Sequence, residues 1–541
     1  MNFRPKLLFF SHIGSPEAIT GAEKLLLATV IELSAMASCV LVVPEHGMLS
    51  ERAAAAGIEV RAAGNVPIFY SMYQGLPTIR REVEAGMRGY GMLTLYRLLA
   101  ELRPDAVWVN TCVHPLPAVA ASRLGIPVVW CLTETMRTAE GTKHTLSLIE
   151  QYADRVIGIS SSTLAPVRRI RPLLEAKAEV LYPGIDAAEL NPAAWEVSRS
   201  SRRAQLGLSE NSCLVGFIAS HLYENKGVDQ FLDMAQLTAA TSPETVFAVV
   251  GNPVLPEYYE RCRSRTAAAG LESRFRWLPF ERNVAAIYPA MDILVVPSLI
   301  EEGFGMTALE GMLFGKAVVA YSSGGLEEIM HATGNAEWLL QPHDSAGLAE
   351  RVSRLSLNPP LRLAIGGRNG EAARSLFGRE AYRQRLAASL ERLGLAGEPK
   401  PRFVYGSGGK ARYELRGWKL RKLRSRRERI AAGLGAAKEH PLPQSVLALF
   451  ERAEPLAAEA GSAAGAPARR RRSGGAGARG RAARRQASPG RRAPAARRAG
   501  RRAGGGRPGG GAGGAAKRRR SASRARPAAK PPGRSKGRSR R

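Results

Sequence analysis

The stretch PSLIEEGFGMTALEGMLFGKAVVAYSSGGLEEIM, residues 297–330, decides the fold of this 541-residue sequence. It follows the apolar run ILVV and has Glu302 and Glu310 eight positions apart. Gly303 and Gly305 allow a tight turn and a close approach of backbone to a ligand. The free N–H groups of the helix that follows face an anion such as a diphosphate, and two carboxylates can accept paired hydroxyl groups. The stretch favours a nucleotide-sugar site, although such carboxylates also occur as solvated residues at ordinary helix starts.

Short apolar runs alternate with helical patterns on both sides of this stretch. The runs show almost no polar–apolar alternation, which is typical of parallel strands covered on both faces. Their βαβα order predicts doubly wound α/β domains, and a polar stretch at residues 191–205 separates two sets of strands. Two such domains place a cleft between the carboxyl ends of their sheets, where ligands bind. The predicted strands are Lys6–Ser11, Ser38–Val43, Ala106–Asn110, Pro127–Leu132, Arg155–Ile159, Leu214–Ala219, Val246–Val250, Arg274–Leu278, Ile293–Pro297 and Ala317–Tyr321.

The net charge of +32 belongs to the end of the chain. Residues 461–541 contain 27 Arg and Lys and no Asp or Glu, and residues 401–440 contain 12 basic and 3 acidic residues. The first 400 residues hold 39 basic and 41 acidic residues, which excludes a protein that is basic throughout. Residues 401–434 have a partly helical pattern. Because residues 461–541 lack Leu, Ile, Val and aromatic residues, they predict a disordered tail.

The cysteines and the apolar runs indicate the compartment. Five cysteines, widely spaced and without a C-x-x-C pair, favour buried free thiols in a reducing compartment over disulfides or a zinc site. No apolar run reaches the roughly 18–20 residues that cross a bilayer, and Leu7–Phe10 is too short for a signal-peptide core of about 7–15 residues. We expect a cytoplasmic protein, with its basic end suited to peripheral contact at the inner face of the membrane.

The stretch at residues 297–330 resembles the signature of the retaining glycosyltransferases of family 4, which have the GT-B fold. That signature has Pro-Ser, then E-G-F-G, a second glutamate eight residues after the first, and a Gly-Gly-x-x-E loop. The resemblance runs from about Lys6 to Leu395 and implies two Rossmann-like, doubly wound α/β domains facing a cleft. The predicted segments are an acceptor-side domain (1–190), a nucleotide-sugar donor domain (191–375), a closing helix crossing back to the first domain (376–396), a basic, partly helical extension (397–460) and a disordered Arg/Ala/Gly/Pro tail (461–541).

The same resemblance assigns roles to single residues. Glu302 matches the glutamate that reaches the transferred sugar, and Glu310 matches the one that holds the ribose hydroxyls of the donor. Lys226, in HLYENKGVD, matches the lysine that neutralises the diphosphate, where a fixed cation stabilises the leaving group. The other donor-binding candidates are Gly305, Met306 and Thr307 through their backbone, Gly21 in ITGAEK, His221, and Leu278 and Pro279 in WLPFERNV beside the base.

The sequence departs from the family pattern in ways that leave open whether its activity is weakened. The charge of His221 near pH 7 depends on its surroundings. His114 and Glu134 are candidates for the acceptor or sugar side, and His114 is equally compatible with a structural role in its apolar stretch. The replaced positions are Thr20 (glycine in relatives), Ser220 (glycine), His221 (arginine) and Thr133 (histidine).

The resemblance implies a reaction and its partners. A sugar passes from a nucleoside-diphosphate-sugar to a hydroxyl of a glycan, lipid-linked or small-molecule acceptor with retention of configuration, in cell-surface polysaccharide or glycolipid synthesis. Apart from the nucleotide-sugar as co-substrate, no cofactor or metal is expected, since no Asp-x-Asp motif lies between the domains. Loops of the first domain such as Tyr70–Arg88 are expected to select the acceptor.

Other functions remain open from the sequence alone. One is a GT-B-fold nucleotide-sugar epimerase or a phosphorylase, which needs its own acid–base residues or a pyridoxal lysine. Another is a protein that binds nucleic acid or anionic membrane through residues 401–541, in a strongly salt-dependent manner. The composition of residues 461–541 is also compatible with a segment translated from GC-rich DNA in the wrong reading frame.

Overall fold

The computed structural model describes residues 4–16, 19–64, 66–209, 211–281, 283–394, 402–405, 412–416, 419–423 and 446. The chain divides into two units, Met1–Ala457 and Ala458–Arg541, and all of these residues belong to the first. The predicted disordered tail, residues 461–541, lies outside the described residues.

The first domain is built on a parallel seven-stranded sheet in the order β3-β2-β1-β4-β5-β6-β7. Its central strands are buried along their whole length, in keeping with their unbroken apolar sequence. The strand order reverses between β1 and β4, which opens a crevice at their carboxyl ends. The strands are β1 (Lys6–Phe10), β2 (Ser38–Val43), β3 (Glu59–Ala62), β4 (Ala106–Asn110), β5 (Val128–Leu132), β6 (Arg155–Gly158) and β7 (Ala178–Val180).

The second domain repeats this plan with a parallel six-stranded sheet in the order β10-β9-β8-β11-β12-β13. Here the strand order reverses between β8 and β11. The strands are β8 (Cys213–Leu222), β9 (Thr245–Pro253), β10 (Phe275–Leu278), β11 (Ile293–Val296), β12 (Ala317–Tyr321) and β13 (Leu339–Leu340). Two doubly wound α/β domains with facing crevices are the predicted GT-B arrangement, which is confirmed.

Helices cover both sheets, and some of them begin at residues whose side chains cap the helix. Thr20 and Ser160 each form a capping box with the residue three positions on, which satisfies N–H groups that the helix leaves free. The helices of the first domain are α1 (Gly21–Ser34), α2 (Met48–Ala55), α3 (Tyr70–Gln74), α4 (Ile79–Gly86), α5 (Tyr90–Leu102), α6 (Pro115–Arg123), α7 (Thr142–Tyr152) and α8 (Ser161–Ile170). Those that follow are α9 (Trp195–Gln205), α10 (Val228–Thr241), α11 (Pro256–Ala268), α12 (Met306–Leu313), α13 (Gly325–Ala332), α14 (Ser345–Ser356), α15 (Pro359–Phe377) and α16 (Arg379–Arg392).

α16 leaves the second domain and packs against α1 of the first. The Tyr382 hydroxyl lies 2.6 Å from Thr29 Oγ1, and the Arg383 guanidinium pairs with Glu32. The break between α15 and α16 is at Gly378, where a Cβ would lie 2.2 Å from the Arg374 carbonyl oxygen. The predicted domain boundary at 375–376 therefore falls inside α15.

Two predictions of local structure are wrong. The basic extension was expected to be partly helical, but residues 402–423 contain an antiparallel sheet of β14 (Arg402–Tyr405), β15 (Arg412–Arg416) and β16 (Lys419–Leu423). Of these runs only RYELR alternates polar and apolar residues, so the sequence contains little strand signal there. The expected loop at Tyr70–Arg88 contains α3 and α4. The polar stretch at 191–205 separates the two sets of strands, as predicted, and contains α9.

All five cysteines are buried and free, as predicted. Among the helices of the described residues, none is both long enough and apolar enough to span a bilayer.

Candidate functional site

The E-G-F-G loop joins β11 to α12 and depends on its glycines. Gly305 is the N-cap of α12 and has φ 97° and ψ 46°, a left-handed conformation that favours glycine. A Cβ on Gly303 would lie 2.3 Å from the Thr133 carbonyl oxygen of the first domain. Between them Phe304 is buried against Tyr182 and Phe377. The loop is therefore anchored by one aromatic ring and leaves the backbone at the start of α12 open to the cleft.

Glu302 and Lys226 form an ion pair at the cleft. Lys226 Nζ lies 2.7 Å from Glu302 Oε1, and the Ser298 hydroxyl donates to the same oxygen at 2.8 Å. Both charged side chains keep contact with solvent, at 30% and 21% exposure. Gly227 follows the lysine with φ 83°, and a Cβ there would lie 1.9 Å from the Pro297 carbonyl oxygen. The Lys-Gly pair thus brings the amine against the loop that carries Glu302.

Glu310 lies in α12, eight residues after Glu302, and side chains from both domains contact it. The buried Tyr288 hydroxyl donates to Glu310 Oε2 at 2.9 Å, and Lys24 of α1 lies 3.7 Å from Oε1. Burial, and then the charge of Glu310, raise the pKa of Tyr288 well above its usual range, so that the phenol stays protonated and donates. The Glu310 side chain is 14% exposed and lines the cavity between the domains.

These side chains line one cavity of about 270 Å³ between the two domains. The first domain contributes Thr20, Gly21, Lys24 and Thr133. Among the described residues, apart from its chain neighbours and the backbone of its own helix, no atom lies within 4 Å of the place where a Cβ of Gly21 would stand, so packing there does not require glycine. The second domain contributes Ser220, Lys226, Phe280, Ser298, Glu302, Gly305, Met306, Thr307 and Glu310.

Several predicted site residues lie away from the cavity wall. His221 is exposed on β8 beside Ser220, 3.2 Å from its hydroxyl, while Ser220 is the residue that lines the cavity. Leu278 ends β10, and Phe280, two residues further on, lines the cavity in its place. Pro279 likewise does not line it.

His114 and Glu134 lie within the first domain and do not line the cavity. His114 is buried at the start of α6, and burial, followed by the charge of His12, lowers its pKa to about 3. Glu134 accepts hydrogen bonds from the backbone N–H groups of Cys112 and Thr133, each at 3.1 Å. Glu134 therefore positions Thr133, which is the residue that reaches the cavity.

The sequence did not single out Lys24, Tyr288 or Ser298. Lys24 is the last residue of ITGAEK and lies in the first turn of α1, three residues after Gly21, which is a usable signal. Tyr288 comes from another part of the chain and carries no motif of its own, whereas Ser298 is the serine of the Pro-Ser that begins the signature. In the described ranges, His, Cys, Asp and Glu nowhere gather in threes that could hold a metal ion.

Comparisons with known proteins agree with this architecture. The family described as "Glycosyl transferases group 1" matches residues 212–358, and "Glycosyltransferase Family 4" matches residues 19–189. The 2-deoxystreptamine N-acetyl-D-glucosaminyltransferase of Streptomyces fradiae is 31% identical over 343 residues, which cover 58% of this chain and 77% of that protein. The lipopolysaccharide core biosynthesis mannosyltransferase LpsB of Rhizobium meliloti is 27% identical over 303 residues, 54% of this chain and 81% of that protein.

A solved structure shows the same fold. Anabaena HepE, in complex with UDP and glucose, superposes with a TM-score of 0.60 at 22% identity, covering 72% of this chain and all of that one. The chain belongs to the group 1 glycosyltransferases of family 4, and its fold is GT-B. It is a glycosyltransferase, an enzyme that transfers a sugar from a donor to an acceptor.

Proposed function

We propose that the protein transfers a sugar from a nucleoside-diphosphate-sugar to a hydroxyl acceptor with retention of anomeric configuration. The observation that carries the proposal is the convergence of Lys226, Glu302, Glu310 and the open start of α12 on one cavity. Helix N–H groups and a lysine are the donors that a diphosphate requires.

Each group has a part in the reaction. Glu310 accepts the ribose hydroxyls, and Glu302 accepts hydroxyls of the transferred sugar. Negative charge builds on the diphosphate as the glycosidic bond to it breaks, and Lys226 with the amides of Met306 and Thr307 stabilises that charge. The proton of the acceptor hydroxyl passes to the departing phosphate, so that no separate protein base is needed. Retention is supported by the spacing of Glu302 and Glu310, which resembles that of the retaining enzymes.

The acceptor enters from the first domain. Thr133 and Gly21 line that wall of the cavity, and Glu134 holds Thr133 in place. We take the acceptor to be a glycan, a lipid-linked sugar or a small molecule in cell-surface polysaccharide or glycolipid synthesis. The likeness to LpsB, named for lipopolysaccharide core biosynthesis, supports this class. UDP is the first nucleotide to test, because HepE was solved with it.

We further propose that the reaction needs no metal and takes place in the cytoplasm, with peripheral attachment at the inner face of the membrane. Lys226 and the amides at the start of α12 supply the positive charge that a divalent cation gives other transferases. The reaction should keep its rate when a chelator such as EDTA is added and should not rise with added Mg²⁺ or Mn²⁺.

The test is turnover of a panel of nucleotide-sugars, read as release of the nucleoside diphosphate. Glu310→Ala and Lys226→Ala should each lose most of the rate on the donor that the parent protein uses. Unchanged rates in both variants would contradict the site. The anomeric proton coupling of the product in NMR then tests retention, since an inverted product would overturn that part alone.

A second function is favoured by one observation, the 27 cations without an acidic residue in 461–541. Such a segment binds polyanions or anionic membranes with a steep dependence on salt.

A further inference from the structure

Glu328, in the first turn of α13, reaches across to the first domain. Its Oε2 accepts the Ser161 N–H and its Oε1 accepts the Ser162 N–H, both at 2.8 Å, and the Tyr182 hydroxyl donates to Oε2 at 2.9 Å. Ser161 and Ser162 are the first two residues of α8. A carboxylate that accepts successive N–H groups at a helix start satisfies free donors and lies at the positive end of the helix dipole.

The surroundings of Tyr182 agree with this contact. Burial, and then the hydrogen bond to the Glu328 carboxylate, raise the pKa of Tyr182 above its usual value. The phenol therefore stays protonated and remains a donor. Tyr182 also packs against Phe304 of the E-G-F-G loop, with ring centroids 5.8 Å apart. The contact thus lies beside the loop that carries Glu302.

α13 is fixed to the backbone of Glu302 at its own start. Gly325 N–H donates to the Glu302 carbonyl oxygen at 2.7 Å, and Gly324 pairs with Glu302 as a parallel bridge. A Cβ on Gly324 would lie 2.4 Å from the same carbonyl oxygen, so this close approach of the two segments requires glycine. Wherever α13 is held, the main chain of Glu302 is held with it.

We propose that Glu328 is a positioning residue, which fastens α8 of the first domain to α13 and so sets Glu302 against the first-domain wall of the cleft. Glu302 and Lys226 come from the second domain, while Gly21 and Thr133 come from the first. Without the Glu328 contact the domains open further, and the two walls of the cavity are no longer held at a fixed separation. The catalytic consequence rests on the proposed glycosyl transfer, whereas the interdomain distance does not.

The chain offers matched variants on both sides of the contact. Glu328→Gln replaces one acceptor oxygen with an amide that faces N–H groups. Glu327→Gln is its control, because Glu327 is exposed and accepts from Ser322 within its own domain. Ser161→Pro removes the donor, and Ser161→Ala keeps it. Proline suits the first helical position, and the extended conformation of Ser160 (φ −158°, ψ 167°) suits the residue before a proline.

The primary measurement is the distance between spin labels on the two domains of the full chain. Labels at Tyr90→Cys and Leu363→Cys occupy side chains that are 89% and 72% exposed, and all five native cysteines are buried. Glu328→Gln and Ser161→Pro should both give a longer or broader distance distribution than the parent, while Glu327→Gln and Ser161→Ala should not. Parent-like distributions in both Glu328→Gln and Ser161→Pro would overturn the proposal.

Kinetics then separate positioning from simple loss of stability. Glu328→Gln and Ser161→Pro should each lower kcat about tenfold, because each loses the free energy of a hydrogen bond to a charged group. The Kd of UDP, which is held mainly by the second domain, should change less than about twofold. An equal loss of UDP affinity and kcat would contradict a positioning role. If no nucleotide-sugar reacts with the parent protein, the proposed function fails while the distances still decide the contact.

Discussion

Lys226 and Glu302 neutralise each other's charge, and Lys24 does the same for Glu310. A bound diphosphate would draw Lys226 away from Glu302 and free that carboxylate for sugar hydroxyls. Both pairs remain in contact with water, so their contribution to folding is small. The two ion pairs instead orient the charged groups of the cleft for donor binding.

Lys226→Ala should lower kcat/KM for the nucleotide-sugar about a hundredfold, because removal of one fixed donor to a developing anion typically has that effect. The midpoint of thermal unfolding should stay within about 2 °C, since an exposed ion pair stabilises by roughly 0–1 kcal/mol. Steady-state kinetics and calorimetry check both values. A large fall in the unfolding midpoint with parent-like kcat/KM would show a structural lysine instead.

Tyr288→Phe should raise the donor KM about fivefold and lower kcat less, because the Glu310 carboxylate loses the hydroxyl that orients it. Tyr321→Phe is the matched control. Its hydroxyl bonds to Gln230 at 3.1 Å and lies outside the residues that line the cavity. Both variants lose one buried phenolic hydroxyl, so a KM change of equal size in the two would contradict a role at Glu310.

The sequence could predict Glu302, Glu310 and Lys226 because each belongs to a local motif of fixed spacing. It could not predict Tyr288, since a buried tyrosine 22 positions before Glu310 has no sequence signal that links it to that carboxylate. The exposure of His221 could not be predicted either. Alternation along β8 decides whether residue 220 or 221 faces the cavity, and a one-residue difference reverses it.

The position of Gly227, between β8 and α10, requires glycine for two reasons: its φ is positive, and a side chain would not fit there. Gly227→Ala places a Cβ 1.9 Å from the Pro297 carbonyl oxygen at a positive φ, and should cost more than about 2 kcal/mol of unfolding free energy. Gly207→Ala also has a positive φ but no neighbour within 4 Å, and should cost about 1 kcal/mol. Urea denaturation compares the two. Equal costs would show that backbone strain alone decides.

Asp292 ties α9 to the second sheet. It accepts from Arg199 at 2.8 Å, from Arg203 at 3.0 Å and from the Leu214 N–H at 2.8 Å, with its side chain only 9% exposed. Burial on its own would raise the pKa of Asp292, but the charge of Arg199, the Leu214 N–H and the charge of Arg203 together hold that pKa below its usual value.

Asp292→Asn should therefore lower the unfolding free energy by about 3 kcal/mol at pH 7. Because the folded pKa is lowered, the stabilisation is present above the ordinary carboxyl pKa of about 4 and is lost as the pH falls through the lowered value. The difference between parent and variant, measured by urea denaturation, should shrink below about pH 4. A difference that is constant down to pH 2.5 would contradict the ionic origin.

Elements with an unbroken apolar run were predictable, and β2, β4 and β12 begin and end where the sequence pattern places them. β3 and β7 were missed because edge strands are partly exposed and their residues, EVRA and AEV, have little apolar pattern. β14 (RFVY) and β16 (KLRKL) do not alternate polar and apolar residues, and only β15 (RYELR) does. The sequence therefore has little period-two signal that could predict these strands.

The two sheets place the candidate site residues at the cleft. The net positive charge of the chain comes from a different region, residues 401–541. The first 400 residues carry nearly balanced charge, so a nucleotide-sugar site does not explain the +32. The family resemblance predicts that the helix at 376–396, observed as α16, crosses back to the first domain. Only the three-dimensional arrangement shows that Glu328 also connects the domains, because its partners Ser161 and Ser162 are more than 160 positions away in sequence.

Removal of residues 461–541 should leave glycosyl transfer to a soluble acceptor within about twofold of the full chain, because the described residues that line the cavity lie between Ile19 and Glu310. Binding to heparin or to anionic vesicles should fall sharply, and the binding of the full chain should weaken steeply between 50 and about 200 mM salt. Co-sedimentation at the two salt concentrations measures this. Equal binding with and without residues 461–541 would exclude a polyanion-binding tail.

Thermal unfolding with nucleoside diphosphates tests the central claim, a donor site made by Lys226, Glu302 and Glu310, most directly. A ligand that binds only the folded state at about 100 times its Kd stabilises by about 2.7 kcal/mol, which corresponds to several degrees for domains of this size. One nucleoside diphosphate should raise the unfolding midpoint of the parent by that amount and that of Lys226→Ala and Glu310→Ala by much less. Equal shifts in all three proteins, or no shift with any nucleotide or nucleotide-sugar, would contradict the site.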